Sequence, residues 1–168
     1  TENVDEVFDQ GFALMHPRDF VVKSKTITRK PEVKAVVTFV LDASGSTARY
    51  MEAFKRFVHD IETLIAANYK GFAFEYIIFD TQAHIMKSRN DFFRSQLGGG
   101  TTYHTGTDKA RDLFNQKYPR NIWDRYTFLM GDMEDFAPDK AFASIKKLLD
   151  ESEFFGTVAG LHSREYMD

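Results

Sequence analysis

The strongest constraint on the fold is a repeated arrangement in which an apolar run ends at an aspartate. Residues 35–41 form a continuous apolar and β-branched run that stops at Asp42, and residues 72–79 stop at Asp80. A third run, over 126–130, is followed by Gly131 and Asp132. Uninterrupted runs of this length are typical of strands that are covered on both faces of a parallel sheet.

Helical periodicity fills the intervals between these runs. Apolar residues spaced by three or four over 51–65 predict a long amphipathic helix. A shorter helix around 110–114 is predicted to end before Pro119, and another is indicated over 141–149. The remaining predicted elements are an edge strand at 83–86, a glycine loop at 98–102 and a last strand at 154–161. This order predicts an α/β fold with a doubly wound, mostly parallel sheet and helices on both faces.

Domain organisation follows from where this regular pattern begins. Residues 1–32 mix charged and apolar positions, contain the helix breakers Pro17 and Pro31, and show no sustained period. We therefore expect 1–32 to be an amino-terminal arm packed on a domain that spans 33–168. With 43% apolar residues in 168, the chain can build one sizeable core.

Composition excludes several functional classes. The net charge of -3 gives no basic field for nucleic acid. The longest apolar runs are six to eight residues and no signal-peptide pattern opens the chain, so we expect no membrane anchoring. The absence of cysteine excludes disulfides and thiolate metal sites, and it agrees with a cytoplasmic location.

Three segments are predicted to converge at one edge of the sheet. In open α/β sheets, ligands bind beyond the carboxyl ends of the strands, where the strand order reverses. Asp42, Ser44 and Ser46 leave the first strand with oxygen at alternate positions, and Gly45 is expected to let this loop turn tightly. The glycine loop 98–102 and the residue Asp132 supply further oxygen at the same edge.

Oxygen donors without thiolates favour a hard divalent cation. We expect Mg²⁺, and the donor types are also compatible with Mn²⁺ or Ca²⁺. Simpler explanations remain open, since Ser46 or Thr47 could cap the long helix and Asp132 could cap the segment that follows it. The residues expected at the rim of the site or behind its donors are Gly45, Thr102, His104, Glu134 and Asp135.

These same residues carry a resemblance to a known family. The pattern Asp42-x-Ser44-x-Ser46, a Thr about 55 residues later and an Asp about 30 further on resembles the metal-ion-dependent adhesion site of von Willebrand factor type A domains. Residues 17–137 are similar to the carboxyl half of the bacterial YeaH/YhbH family. The motifs that carry this similarity are Phe79-Asp80-Thr81, Phe92-Phe93, Gly99-Gly100-Thr101, Tyr118-Pro119, Trp123-x-x-Tyr126 and Asp132.

The resemblance implies a ligand set. Asp42, Ser44 and Ser46 would bind the ion directly, Thr101 would be the loop ligand, and Asp132 would act through water. The chain departs from the family pattern at Thr47, where Met is usual, and at 131–135, where Ser-Asp-Gly-Asp-Asn is usual. Type A domains also have a further strand and helix, and because few residues follow Leu161 we expect this last strand and helix to be absent.

The sequence is compatible with three functions. We expect a metal-dependent protein-binding module whose ion accepts an Asp or Glu carboxylate from a protein partner. By family association, the partner is a serine protein kinase or a SpoVR-type protein in a bacterial stress or sporulation response. A Mg²⁺-dependent phosphoryl-transfer enzyme is the second hypothesis, but Ser44 stands where such phosphatases need a second Asp, so we expect no enzyme. The third is a metal-free scaffold domain.

Overall fold

A computed structural model describes residues 22–23, 33–95 and 97–160, in which one sheet runs through the centre of the molecule. Its strands are Val22–Lys23 (β1), Lys34–Asp42 (β2), Phe72–Phe79 (β3), Ala83–Met86 (β4), Trp123–Gly131 (β5) and Phe154–Ala159 (β6). The helices are Met51–Asn68 (α1), Arg89–Arg94 (α2), Tyr103–Lys117 (α3) and Pro138–Glu151 (α4), and Gly45–Tyr50 forms a 3-10 helix before α1.

The strand order across the sheet is β1-β6-β5-β2-β3-β4. The central strand β2 pairs in parallel with β3 on one side and with β5 on the other. Strand β6 extends the parallel set, whereas β4 and β1 are antiparallel at the two edges. Strands β3 and β4 thus lie on one side of β2, and β5 and β6 lie on the other. The strand order therefore reverses between β2 and β5, as a doubly wound fold requires. This confirms the predicted fold class.

Each face of the sheet packs against helices through its own apolar cluster. Phe39 and Phe128 belong to the cluster beneath α1, where Phe57 packs edge-on against Phe128. Val40 and Leu129 point to the opposite face, which is covered by α3 and α4. Because both faces are covered, eight of the nine residues of β2 are buried. This burial explains the unbroken apolar runs in the sequence.

Two features differ from the sequence predictions. Helix α2 was not predicted, because its six residues are too few to display a helical period. It is capped by Ser88, whose hydroxyl accepts a hydrogen bond from the Asp91 amide at 3.1 Å. The last strand ends at Ala159 and not at Leu161, which lies outside the described residues.

The proposed amino-terminal arm is described only at Val22–Lys23, which pairs with β6. The rest of residues 1–32 and the segment after Gly160 lie outside the described residues, so the predictions for them stay predictions. Within the described part of the chain, none of the helices is long and apolar enough to cross a membrane.

Candidate functional site

The three predicted segments meet at the carboxyl edge of the sheet. The loops after β2 and β5 emerge side by side, because these strands pair in register from Lys34 to Leu41. Two backbone hydrogen bonds tie the glycine loop to both of them. The Leu97 amide donates to the Ala43 carbonyl at 3.1 Å, and the Phe136 amide donates to the Thr101 carbonyl at 3.0 Å.

Four of the five predicted ligands form a connected chain of contacts. The Ser44 amide donates to Asp42 Oδ1 at 2.9 Å, and the hydroxyls of Ser44 and Ser46 lie 3.1 Å apart. The Ser46 hydroxyl then donates to Asp132 Oδ2, 86 positions further along the chain. The structure thus brings Asp42 and Asp132 to one place, with two serine hydroxyls between them.

The Asp42 carboxylate is buried with one oxygen unsatisfied. Its side chain is fully shielded from solvent, and within residues 33–95 and 97–160 its Oδ2 has no hydrogen-bond partner. Burial raises the pKa of Asp42 to about 6, against the lowering effect of hydrogen bonds from Ser44, and the charge of Asp132 raises it further. A buried carboxylate with a free oxygen is costly unless a cation or a proton compensates it.

The hydroxyl of Thr47 holds this loop in shape. It donates to the carbonyls of Asp42 and Ser44, at 2.9 and 2.7 Å, and the side chain is buried. This contact explains how Thr replaces the Met that the resemblance led us to expect. Thr47 therefore orders the loop backbone, and it is not the side-chain cap of α1 that we considered.

The two threonines of the glycine loop have different environments. Thr102 is committed to the fold, because its amide and its hydroxyl both donate to the Asp80 carbonyl at 2.9 Å. Thr101 is buried, and no hydrogen bond of its hydroxyl is found among the described residues. The hydroxyl of Thr101 is thus the one that is available to a ligand. Asp80 itself accepts a hydrogen bond from the Gln82 amide at 2.9 Å, so its carboxylate caps a turn.

Two glycines of the 98–102 loop pack closely against side chains of neighbouring segments. A Cβ at Gly99 would lie 2.6 Å from an Asp80 carboxylate oxygen, and one at Gly100 would lie 1.9 Å from the Phe136 ring. Gly45 is different, since a Cβ there would meet nothing within 4 Å and none of the described glycines has a positive φ. Our expectation that Gly45 is required for a tight turn is therefore wrong.

Tyr103 is a site residue that sequence reasoning missed. Its hydroxyl accepts from the Met133 amide at 3.0 Å and lies against Gly131 and Asp42, where any Cβ on Gly131 would fall 2.0 Å from it. Burial raises the pKa of Tyr103, and the nearby Asp42 charge adds to this effect. No motif marks Tyr103, although its position directly after the two threonines could have suggested it.

The remaining rim residues have separate roles. Asp135 accepts from the Tyr103 amide at 2.6 Å and from the Ala137 amide, so it caps the start of α3. Glu134 has an exposed side chain, and its amide donates to Asp132 Oδ1 at 3.1 Å. His104 lies on the first turn of α3, and its Nδ1 is buried without a partner in the described residues.

The donors fit a hard cation in their chemistry. Among the described residues, no group of three or more His, Asp or Glu side chains is close enough to hold a metal ion. The cluster instead combines two carboxylates with serine hydroxyls, which are oxygen donors of the kind that Mg²⁺ and Mn²⁺ accept. The unsatisfied Asp42 oxygen is the observation that supports this fit.

The described elements define an α/β domain with a doubly wound, mostly parallel sheet. Solved structures with this fold are similar to the chain. Proximal thread matrix protein 1 from the mussel byssus matches with a TM-score of 0.57 and 18% identity, over 80% of this chain and 41% of that one. Manganese-loaded Plasmodium vivax TRAP protein matches with a TM-score of 0.55 and 14% identity, over 79% and 58%.

The sequence comparison identifies the family. Residues 3–162 match the family described as Protein of unknown function (DUF444), and the chain belongs to this family. A UPF0229 protein of Clostridium perfringens is 32% identical over 139 residues, which cover 80% of this chain and 35% of that protein. A UPF0229 protein of Shouchella clausii is 31% identical over 141 residues, 82% and 36% of the two chains. The chain thus spans about a third of the length of these relatives.

Proposed function

We propose that this chain is a protein-interaction module whose binding depends on a divalent cation. The type A-like fold is compatible with such a module, and the oxygen donors at its carboxyl edge supply the cation site. The residues that would hold the ion are Asp42, Ser44, Ser46, Thr101 and Asp132. When bound, the ion would supply a coordination position for a carboxylate of the partner.

The observation that carries this proposal is the free Oδ2 of Asp42. The carboxylate accepts a hydrogen bond from Ser44 and faces the Tyr103 hydroxyl, but Oδ2 itself has no partner among the described residues. An unsatisfied buried group of this kind costs about 1–3 kcal/mol or favours protonation. Asp42 has one structural contact in the loop, from the Ser44 amide to Oδ1, and this contact leaves Oδ2 unused. The arrangement is explained if the oxygen faces a cation in the functional state.

The partner is proposed from chemistry and from the family resemblance. An Asp or Glu side chain on a cytoplasmic bacterial protein would complete the coordination of the ion. A serine protein kinase and a SpoVR-type protein are the candidates that the resemblance suggests. No phosphoryl-transfer enzyme is proposed, because Ser44 stands at the position where such phosphatases need a second Asp. The Ser44 hydroxyl instead contacts the Ser46 hydroxyl.

Metal titration tests this proposal directly. Isothermal titration calorimetry and thermal unfolding with Mg²⁺, Mn²⁺ and Ca²⁺ should give a single weak site and a rise in Tm. At a metal concentration 100 times Kd, the stabilisation should be about 2.7 kcal/mol. The variants Asp42→Asn and Asp132→Asn should lose the heat and the shift. If the wild-type chain shows neither, the proposal is wrong.

Asp80→Asn is the matched control. Asp80 also follows a strand of the sheet, but its carboxylate accepts the Gln82 amide in a turn. This variant removes one negative charge near the same edge of the sheet and should keep full metal binding. If Asp80→Asn reduced binding as much as Asp42→Asn, the effect would reflect net charge and not a defined site.

A further inference from the structure

An exposed apolar pair lies beside the candidate site. Met133 and Phe136 follow Asp132 in the loop between β5 and α4, and their side chains are 38% and 78% exposed. Phe136 is the most exposed of the large apolar residues in the described part of the chain. We refer to these two residues as the apolar rim.

The backbone of the apolar rim is anchored to the rest of the site. The Phe136 amide is bonded to the Thr101 carbonyl, and the ring lies against Gly100 so closely that a Cβ there would overlap it. Met133 has a positive φ of 65°, which L residues avoid, and its amide is bonded to the Tyr103 hydroxyl. A preorganised apolar surface loses little conformational entropy when a partner covers it.

The charges around the apolar rim restrict what can bind there. Glu134 lies between Met133 and Phe136 in the sequence, and its side chain is exposed. With Asp42 and Asp132 engaged by a divalent ion, Glu134 would present an exposed negative charge beside the rim. It would attract a basic side chain and repel a second acid on the partner.

We infer that the site takes a partner segment with one acidic residue and an apolar residue next to it. The acid reaches the ion, the apolar side chain covers Met133 and Phe136, and further acids beside it are rejected by Glu134. This inference rests on the proposed function, because it assigns the residues that flank the acid. It predicts a preference for an apolar residue beside the acid, which metal binding alone does not provide.

A peptide array provides the test. Biotinylated nine-residue peptides are displayed densely on streptavidin, so that avidity makes weak contacts measurable. Each peptide carries one central Asp, and the adjacent position is Gly, Leu, Phe, Lys or Glu. Binding of the 168-residue chain is measured by biolayer interferometry in Mn²⁺ and again in EDTA. The Leu and Phe peptides should bind at least about tenfold more tightly than the Gly peptide.

Variants assign this preference to the rim. Phe136→Ser should reduce the ratio of Leu or Phe peptide affinity to Gly peptide affinity to near unity. Phe136→Leu should retain most of this preference. Glu134→Gln should improve binding of the Glu peptide. Ile122→Ser is the matched control, because Ile122 is 46% exposed but lies at the opposite edge of the sheet, before β5. It should bind the peptides as the wild-type chain does.

The possible failures are distinguishable. If acid-containing peptides bind in Mn²⁺ with equal affinity whatever the neighbour, the apolar rim is not a docking surface and the proposed function stands. If Phe136→Ser keeps the preference, the rim is likewise excluded. If no peptide binds in a way that depends on both the acid and the metal, this inference fails, and the metal titration alone then decides whether the cation site exists.

Discussion

The Tyr103 hydroxyl accepts a hydrogen bond from the Met133 amide at 3.0 Å. This contact joins the first residue of α3 to the loop that follows β5, and the same hydroxyl faces Asp42. Met133 has a left-handed φ of 65°, which costs an L residue about 1–2 kcal/mol. The hydrogen bond therefore helps to keep the loop after Asp132 in a conformation that it would otherwise leave.

Tyr103→Phe should uncouple these elements. The variant leaves the Met133 amide without its acceptor, so the free energy of unfolding should fall by about 1–2 kcal/mol. Affinity for Mg²⁺ should also fall, because the loop that carries Asp132 is less restrained. Urea denaturation and calorimetric titration measure the two effects.

Tyr118→Phe is the matched control for Tyr103→Phe. The Tyr118 hydroxyl donates to Glu75, and the residue lies at the far end of α3 from the site. Its removal should reduce stability without changing Mg²⁺ affinity. Equal Mg²⁺ affinity in both variants would show that Tyr103 has only a structural role.

Gly131→Ala should be strongly destabilising. The added methyl group would lie 2.0 Å from the Tyr103 hydroxyl and 2.9 Å from Asp42 Cβ, so one of these buried groups must move. Overpacking of this kind costs about 1–3 kcal/mol, which a thermal or urea melt would detect. Gly45→Ala is the control, because its Cβ meets open space at a φ that is not positive. It should change the unfolding free energy by less than about 0.5 kcal/mol, and similar losses in both would contradict this account.

The sequence was sufficient to place the main donors at one edge of the sheet. Asp42 and Asp132 each follow a predicted parallel strand, and the carboxyl ends of parallel strands share an edge, so their proximity needs no knowledge of side-chain contacts. The order of helices and strands can likewise be predicted from the local hydrophobic pattern of each segment. For this reason the fold class and the convergence of the three segments could both be predicted.

The finer arrangement depends on tertiary contacts that no local pattern encodes. Tyr103 contacts Met133 across 30 positions, and Asp135 caps α3 across 32. Asp135 looked like another acid at the rim because Asp132 and Glu134 closely precede it in the sequence. Only the folded chain reveals that its oxygens are already committed to two backbone amides.

The adjacent acids Glu134 and Asp135 should therefore respond differently to substitution. Asp135→Ala removes the acceptor of the Tyr103 and Ala137 amides, and we expect a loss of about 1–2 kcal/mol in unfolding free energy. Glu134→Ala changes an exposed side chain and should stay within about 0.5 kcal/mol of wild type. Urea melts of the two variants provide the comparison. Equal losses would mean that Asp135 is not a cap.

Stability should depend on pH through Asp42. Its pKa in the folded chain is about 6, above the ordinary value of 3.8, so the folded state holds this proton more tightly than the unfolded state does. The stabilisation is complete below about pH 3.8 and is lost as the pH rises through about 6. The full loss is at most about 3 kcal/mol.

Asp42→Asn isolates this contribution, because the amide does not titrate. In EDTA, raising the pH from about 4 to 7 should lower the unfolding free energy of the wild-type chain relative to that of Asp42→Asn. The reason is that only the wild-type chain must then bury a charged carboxylate. Urea denaturation across this pH range measures the difference. Parallel pH profiles of the two chains would contradict the assignment. Added Mg²⁺ should restore stability to the wild-type chain at pH 7 and leave Asp42→Asn unchanged, because only the charged carboxylate can hold the ion.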